Sequence, residues 1–264
     1  MKFLTILLAM ISMTALGAEI ELLEGSVEKI DGHAGVIPDT WLPRIVLEGE
    51  ITPGDDIRFS EVLGKAEEIG KDWELYGSLR LNSGGGDVAT AMSIGRLVRA
   101  AQISTIVQAN ETCASACTLI LAGGSHRIAW RGARIGLHRP YFADPKLATE
   151  GGYYDFQNAY ESVLEAHRAY FTEMRIGSEI LERMLKIPSN DVEWIDHGTA
   201  SNLNLLGVDA VYAEWRRARR IARIGRKCVE WEDRHGACLA QLGFPADGVY
   251  EKCVELTGKP EECD

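Results

Sequence analysis

Three short stretches hold residue types that could do chemistry together. In "ETCASACTLILAGG", Ser115 stands between Cys113 and Cys117 and ahead of an apolar run. That run reads as a helix, so the serine lies at its positive end and serves as a cap, as part of a cystine-clamped turn, or as a nucleophile. In "RLNSGGGDVATA", Gly84, Gly85 and Gly86 separate a strand end from a helix start. Glycine permits positive φ and close backbone approach, so successive N–H groups there can face an anion or a carbonyl oxygen. The rival is a flexible turn, and the lysine of a phosphate-binding loop is missing. In "ARIGLHRPY", His138 ends a strand just before Pro140, where it is either structural or a general base. The combination carries the argument. A nucleophile, a base to activate it and N–H donors for the oxygen that gains charge are the parts of an acyl-transfer site.

The elements that must position these residues are read from periodicity. "RIVLEGEI", "LYGSLRLNS", "ISTIVQA", "HRIAW" and "ARIGLH" are short, branched and apolar, as strands are. Between them, "DDIRFSEVLGKAEEIG" places Ile57, Val62, Leu63 and Ala66 on one helical face, and "VATAMSIGRLVRAA" and "CASACTLILAGG" read as further helices. Alternation of strand and helix indicates an α/β fold with a parallel sheet and crossover helices. Tyr153 to Lys186 is helical throughout, and Pro188 stops it. A last α/β passage, "DVEWIDHGTASNLNLLGVDAVY", leads to the arginine-rich "EWRRARRIARIGRK".

The 264 residues suffice for one large domain with a small appendage. "MKFLTILLAMISMTALGAE" joins Lys2, a short apolar run and the small residues Ala15, Gly17 and Ala18, the pattern of a secretory leader over residues 1–18 cleaved near Ala18. The mature protein is then exported, periplasmic or secreted, with no membrane-spanning segment left. Residues 19–43 read as an irregular lead-in, 44–212 as the main domain and 213–264 as the appendage. Loss of Lys2 takes the formal charge from -11 to -12, which argues against nucleic acid as a partner. The arginine-rich helix is the exception, and its charges either are solvated and paired with acidic groups or meet an anionic surface.

Six cysteines suit an oxidising compartment. Cys113 and Cys117 either bridge across the serine turn or remain buried thiols. Cys228, Cys238, Cys253 and Cys263 lie in the repeated phrases "KCVEWEDRHGAC" and "KCVELTGKPEEC". Nested bridges, Cys228 with Cys263 and Cys238 with Cys253, suit an antiparallel helical hairpin; local bridges within each repeat are the alternative. His33, His167, His197 and His235 lack partners at metal-ligand spacing, and His126 reads as a residue of a solvated turn, so no metal site and no cofactor are expected.

Together "IVLEGEI", "LRLNSGGGDVATAMSIGRLV", "CASACTLILAGG" and "RIGLHRPY" resemble the proteolytic subunit of the Clp protease and its relatives in the ClpP/crotonase superfamily, over Arg44 to Val211. The resemblance implies a superhelix of ββα units, a Ser-His-Asp triad and a serine endopeptidase acting on peptides or unfolded protein. Carried over, it makes Ser115 the nucleophile and His138 the base. The N–H groups of Gly86 and Ala116 become the oxyanion hole, with Gly85 shaping the turn. The third member falls on Asp191, with Asp196 as competitor. Export removes access to an ATP-driven unfoldase, and a homo-oligomer is implied unless the tail blocks it. Three other readings keep the fold: a crotonase-like acyl-thioester enzyme, a peptidase pairing serine with lysine, and an inactive binding module.

Overall fold

The computed structural model describes residues 17–23, 44–69, 77–140, 153–188, 190–242 and 248–263. The expected leader, apart from Gly17 and Ala18, lies outside these residues, as does the lead-in beyond Leu23.

The branched apolar segments form a six-stranded sheet in the order β1 (Glu19–Leu23), β2 (Arg44–Glu48), β3 (Ser78–Asn82), β4 (Ser104–Val107), β6 (His126–Ala129) and β9 (Gly207–Val208). The β2–β3–β4–β6 core is parallel, as alternation with helices requires, while β1 and β9 close the two edges antiparallel. Glu19–Leu23 is therefore a strand and not an irregular lead-in. Its alternating sequence EIELL pairs in register with β2, Glu19 opposite Glu48. A second, three-stranded sheet holds β5 (Thr112–Ala114), β7 (Arg134–Leu137) and β8 (Glu193–Ile195). β5 and β7 run parallel, and β8 runs antiparallel to β7. One isolated bridge, Ser83 to Cys113, joins the chain beyond β3 to β5.

Helices α1 (Asp55–Ile69), α2 (Val88–Ala101), α3 (Cys117–Gly123) and α4 (Tyr153–Glu173) follow the strands. In α1 the buried face is Phe59, Leu63 and Ala66, and Ile57 points to solvent at 65% exposure. A fourteen-residue amphipathic α2 and the fully buried α3 pack against each other beside α4, whose buried Tyr170 hydroxyl donates to Leu119 O at 2.7 Å. The helical stretch ending at Lys186 is two helices, because Arg175 turns left-handed (φ 55°) between α4 and α5 (Glu179–Lys186). α6 (His197–Asn202) leads on to β9.

The appendage comprises α7 (Ala210–Ile224), α8 (Arg226–Leu242) and α9 (Val249–Thr257). Its bridges are nested: Cys238–Cys253 ties α8 to α9 as a hairpin, and Cys228–Cys263 ties the start of α8 to the 3-10 turn Glu261–Cys263 that follows α9. Closing the shorter of these loops contributes about 3 kcal/mol by chain entropy, of use to a unit with so small a core. That core stacks His235 on Trp231 at 5.0 Å, with Tyr250 edge-on at 4.9 Å. The arginines of α7 are largely answered within the appendage: Arg217 pairs with Asp233, Arg220 with Glu232, and Arg219 lies over Trp215.

Asp209 joins the two parts. Its buried carboxylate caps α7 through Tyr212 N–H and pairs with Arg175 at 2.8 Å and Arg99 at 3.3 Å, while its N–H donates to Ser125 O. Burial alone would raise its pKa. The Tyr212 N–H and the Arg99, Arg175 and Arg127 guanidiniums overcome that and hold it below the usual carboxylate range. Arg127 is pushed down to about 10, first by burial and then by Arg99. Asp209→Asn leaves these cations facing each other and is expected to cost about 3 kcal/mol at neutral pH. Because the folded pKa is depressed, the advantage of wild type is full above pH ~4 and shrinks as pH falls further, which paired acid-unfolding curves will read.

Candidate active site

Ser115 follows β5 directly and adopts a left-handed conformation, φ 55°, rare for a residue with a side chain. It is not the cap of α3. That position belongs to Ala116, which makes no side-chain cap bond. The strained turn is held from several sides: Ser115 N–H donates to Gly136 O at 3.0 Å, and Ser115 O accepts from Thr118 N–H at 3.0 Å and from Thr118 Oγ1 at 2.6 Å. A Cys113–Cys117 bridge, both sulfurs fully buried, spans it. This bridge closes so short a loop that chain entropy gives it only about 2 kcal/mol. Its effect is local. Cys113→Ala with Cys117→Ala is expected to lower the melting temperature by a few degrees, yet to slow covalent labelling of Ser115 by about tenfold through loss of the turn geometry.

The glycine turn lies against this serine. A Cβ on Gly85 would fall 2.5 Å from Ser115 Cβ and 2.9 Å from Ala116 N, so only a bare α-carbon fits. Gly85 and Gly86 both have positive φ, 108° and 140°. The turn is strapped by Ile51, whose N–H donates to Gly85 O at 2.9 Å and whose carbonyl accepts from Asp87 N–H at 2.8 Å. That pairing turns the Gly86 N–H away from the strap, and no described acceptor takes it or the N–H of Ala116. The Ser83 hydroxyl completes the clasp, accepting from Gly85 N–H at 3.1 Å and donating to Gly49 O.

His138 leaves the end of β7 as Ser115 leaves the end of β5. The register Ala114 opposite Gly136 carries on to Ser115 opposite Leu137, so Ser115 and His138 leave the same end of adjacent parallel strands, offset by one residue, on strands spaced about 4.8 Å apart. His138 Nδ1 lies 2.7 Å from Arg139 O, which can only accept. The proton is thus on Nδ1 and the lone pair on Nε2, as a base requires. Behind it, buried His167 of α4 holds Nδ1 2.8 Å from Val163 O, and burial lowers its pKa against the opposing effect of that hydrogen bond.

The antiparallel β7–β8 register separates the two aspartates. Leu137 lies opposite Glu193, so continuing the pairing brings Val192 opposite His138 and Asp191 opposite Arg139. Asp191 is exposed, with Oδ1 accepting from Val192 N–H at 2.8 Å. Asp196 emerges at the other end of β7, opposite Arg134 and about 13 Å from His138 along the strand. Its carboxylate caps α6 through Thr199 N–H at 2.8 Å, the main cause of its lowered pKa. His126 is not in a turn. It opens β6, half-buried, and burial followed by Arg216 and Arg127 lowers its pKa.

The description of the Clp protease family matches residues 44–172, from β2 to the end of α4, and so spans the glycine turn, Ser115 and His138. That match makes residues 44–172 a Clp protease domain and supports membership of the ClpP/crotonase superfamily. No curated protein matches the chain. Within this Clp protease fold, the features that sequence reading missed are the ones that hold the site: Ser83, Ile51 and the Arg139 carbonyl. Among the described residues no group of histidine, cysteine, aspartate and glutamate is arranged to hold a metal, and no helix is long and apolar enough to cross a membrane.

Proposed function

We propose that the chain is an exported serine peptidase of the Clp protease type, which cleaves short or unfolded peptides through an acyl-enzyme without an ATP-driven unfoldase. The observation that carries this is the delivery of Ser115 and His138 to one end of the paired strands β5 and β7, with Gly85 packed against the serine. His138 Nε2 takes the Ser115 proton as the oxygen attacks the peptide carbonyl. The N–H groups of Gly86 and Ala116 receive the oxyanion, and the imidazolium then protonates the leaving amine. Water repeats the sequence to release the acyl group. Asp191, just before β8, is the carboxylate of the triad in this reading, and it takes over the His138 Nδ1–H that Arg139 O accepts in the structure. The bridges of the appendage suit an oxidising compartment.

Hydrolysis of activated peptide esters and of short peptide amides by the mature protein tests this reading. Turnover of both, lost in Ser115→Ala, supports it. Absence of turnover with either substrate would leave a binding scaffold.

A further inference from the structure

We infer that the exported chain is cleaved between Gly17 and Ala18, and that the Ala18 ammonium so released docks on the buried Asp55 carboxylate and braces the strand segment that aims the Gly86 donor. The inference rests on the leader reading for export and on the peptidase reading for the last effect.

Ala18 and Asp55 both have no exposed surface. Oδ2 of Asp55 accepts from Ala18 N–H at 3.0 Å and from Thr52 N–H at 2.9 Å; Oδ1 accepts from Thr52 Oγ1 at 3.3 Å and meets Arg58. The Arg58 side chain is half in solvent, so much of its charge is screened from a carboxylate that has left water entirely. A buried carboxylate calls for a full counter-charge and charge-assisted donors. An α-ammonium at Ala18 supplies both from the position its amide already occupies, with no movement of the chain.

The sequence singles out the same bond. Cleavage there places Ala15 and Gly17 third-last and last in the leader, the small-residue pattern that an exporting peptidase reads. Cleavage one residue later, after Ala18, would begin the chain at Glu19 and remove the donor that Asp55 accepts. Gly17 is also confined by the structure. A Cβ there would lie 2.2 Å from Thr52 Oγ1, 2.3 Å from Arg58 Nη2 and 2.6 Å from Asp55 Oδ1, so the segment passes against the carboxylate and a side chain there would have to displace its partners. In the cleavage, water adds across the Gly17–Ala18 amide. Gly17 leaves as a carboxylate with the leader, and the Ala18 amine keeps a proton as ammonium at neutral pH.

From Asp55 the path to the site is short. The Thr52 N–H shares Oδ2 with Ala18, and the residue before it, Ile51, is the strap on Gly85 O and Asp87 N–H that sets the direction of the Gly86 N–H. An ion pair at Asp55 thus fixes the strap that a neutral amide holds less firmly.

The test uses full-length chain exported by a secreting host. Terminal sequencing and intact mass are expected to give Ala18 as the first residue. The α-amine is expected to react with an acylating reagent at least about 100-fold more slowly in folded than in unfolded protein, since a buried amine is reached only by local opening. Asp55→Asn should lose that protection; if this variant does not fold, the wild-type comparison still decides. Mature protein extended by one glycine before Ala18 should be labelled at Ser115 about tenfold more slowly. A terminus at Met1, Glu19 or elsewhere, or an α-amine equally reactive in both states, overturns the inference. A protected Ala18 amine in a protein whose Ser115 never labels would uphold the docking and remove the peptidase reading.

Discussion

His138→Ala is expected to lower kcat of the mature protein by about 10⁵- to 10⁶-fold, as loss of the base does in a serine triad. The fold should survive. The imidazole is only half-buried, and its Nδ1 partner is the next carbonyl rather than a distant element. The informative companions are the aspartates. Asp191→Asn is expected to cost about 10⁴-fold in kcat by removing the carboxylate that stabilises the imidazolium. Asp196→Asn, at the far end of β7, should leave turnover within about threefold and keep the α6 cap, since asparagine caps a helix about as well as aspartate. Steady-state kinetics on the three variants separate the roles. A loss below tenfold in Asp191→Asn would assign orientation of His138 to the Arg139 carbonyl alone.

Gly86→Ala is expected to lower kcat by about 10²- to 10³-fold with KM little changed, the signature of a donor used only when charge develops on oxygen. The reason is geometric. At φ 140° a side chain is strained, and its Cβ would fall 2.0 Å from Ile51 O and 2.8 Å from Ile51 N, so the strap must shift and the Gly86 N–H must swing with it. Gly84→Ala is the internal control, because nothing lies within 4 Å of a Cβ at that neighbouring glycine. Equal kinetics for the two variants would mean that the turn has no part in catalysis.

Much of this architecture is legible in the sequence because its parallel strands are buried and apolar while its helices are amphipathic, so the two periods are distinct. β2, β3, β4, β6 and β7 all announce themselves in this way. β5 does not: it is three residues long, and its apolar letters merge with the helix that follows. That merging is why Ser115 reads as a possible cap, when in the structure it is a left-handed residue between a strand and a helix. Backbone handedness at a serine leaves no trace in composition. β1 was hidden by its charged alternation, which an edge strand permits because one face remains in water. The choice between Asp191 and Asp196 needs the β7–β8 register, a long-range pairing that local spacing does not encode. Nested cystines were one of several arrangements compatible with the repeated phrases, and packing of α8 on α9 selects among them. Ile51 and Ser83 act through backbone groups of distant residues, so only the fold reveals them.

The most direct test of the account is peptide mapping of oxidised mature protein after reaction with a fluorophosphonate, an acylation mimic that reports only an activated serine. The account predicts one adduct per chain, on Ser115, absent in Ser115→Ala and strongly slowed in His138→Ala. No adduct on Ser115 in protein whose Cys113–Cys117 bridge is intact would contradict it.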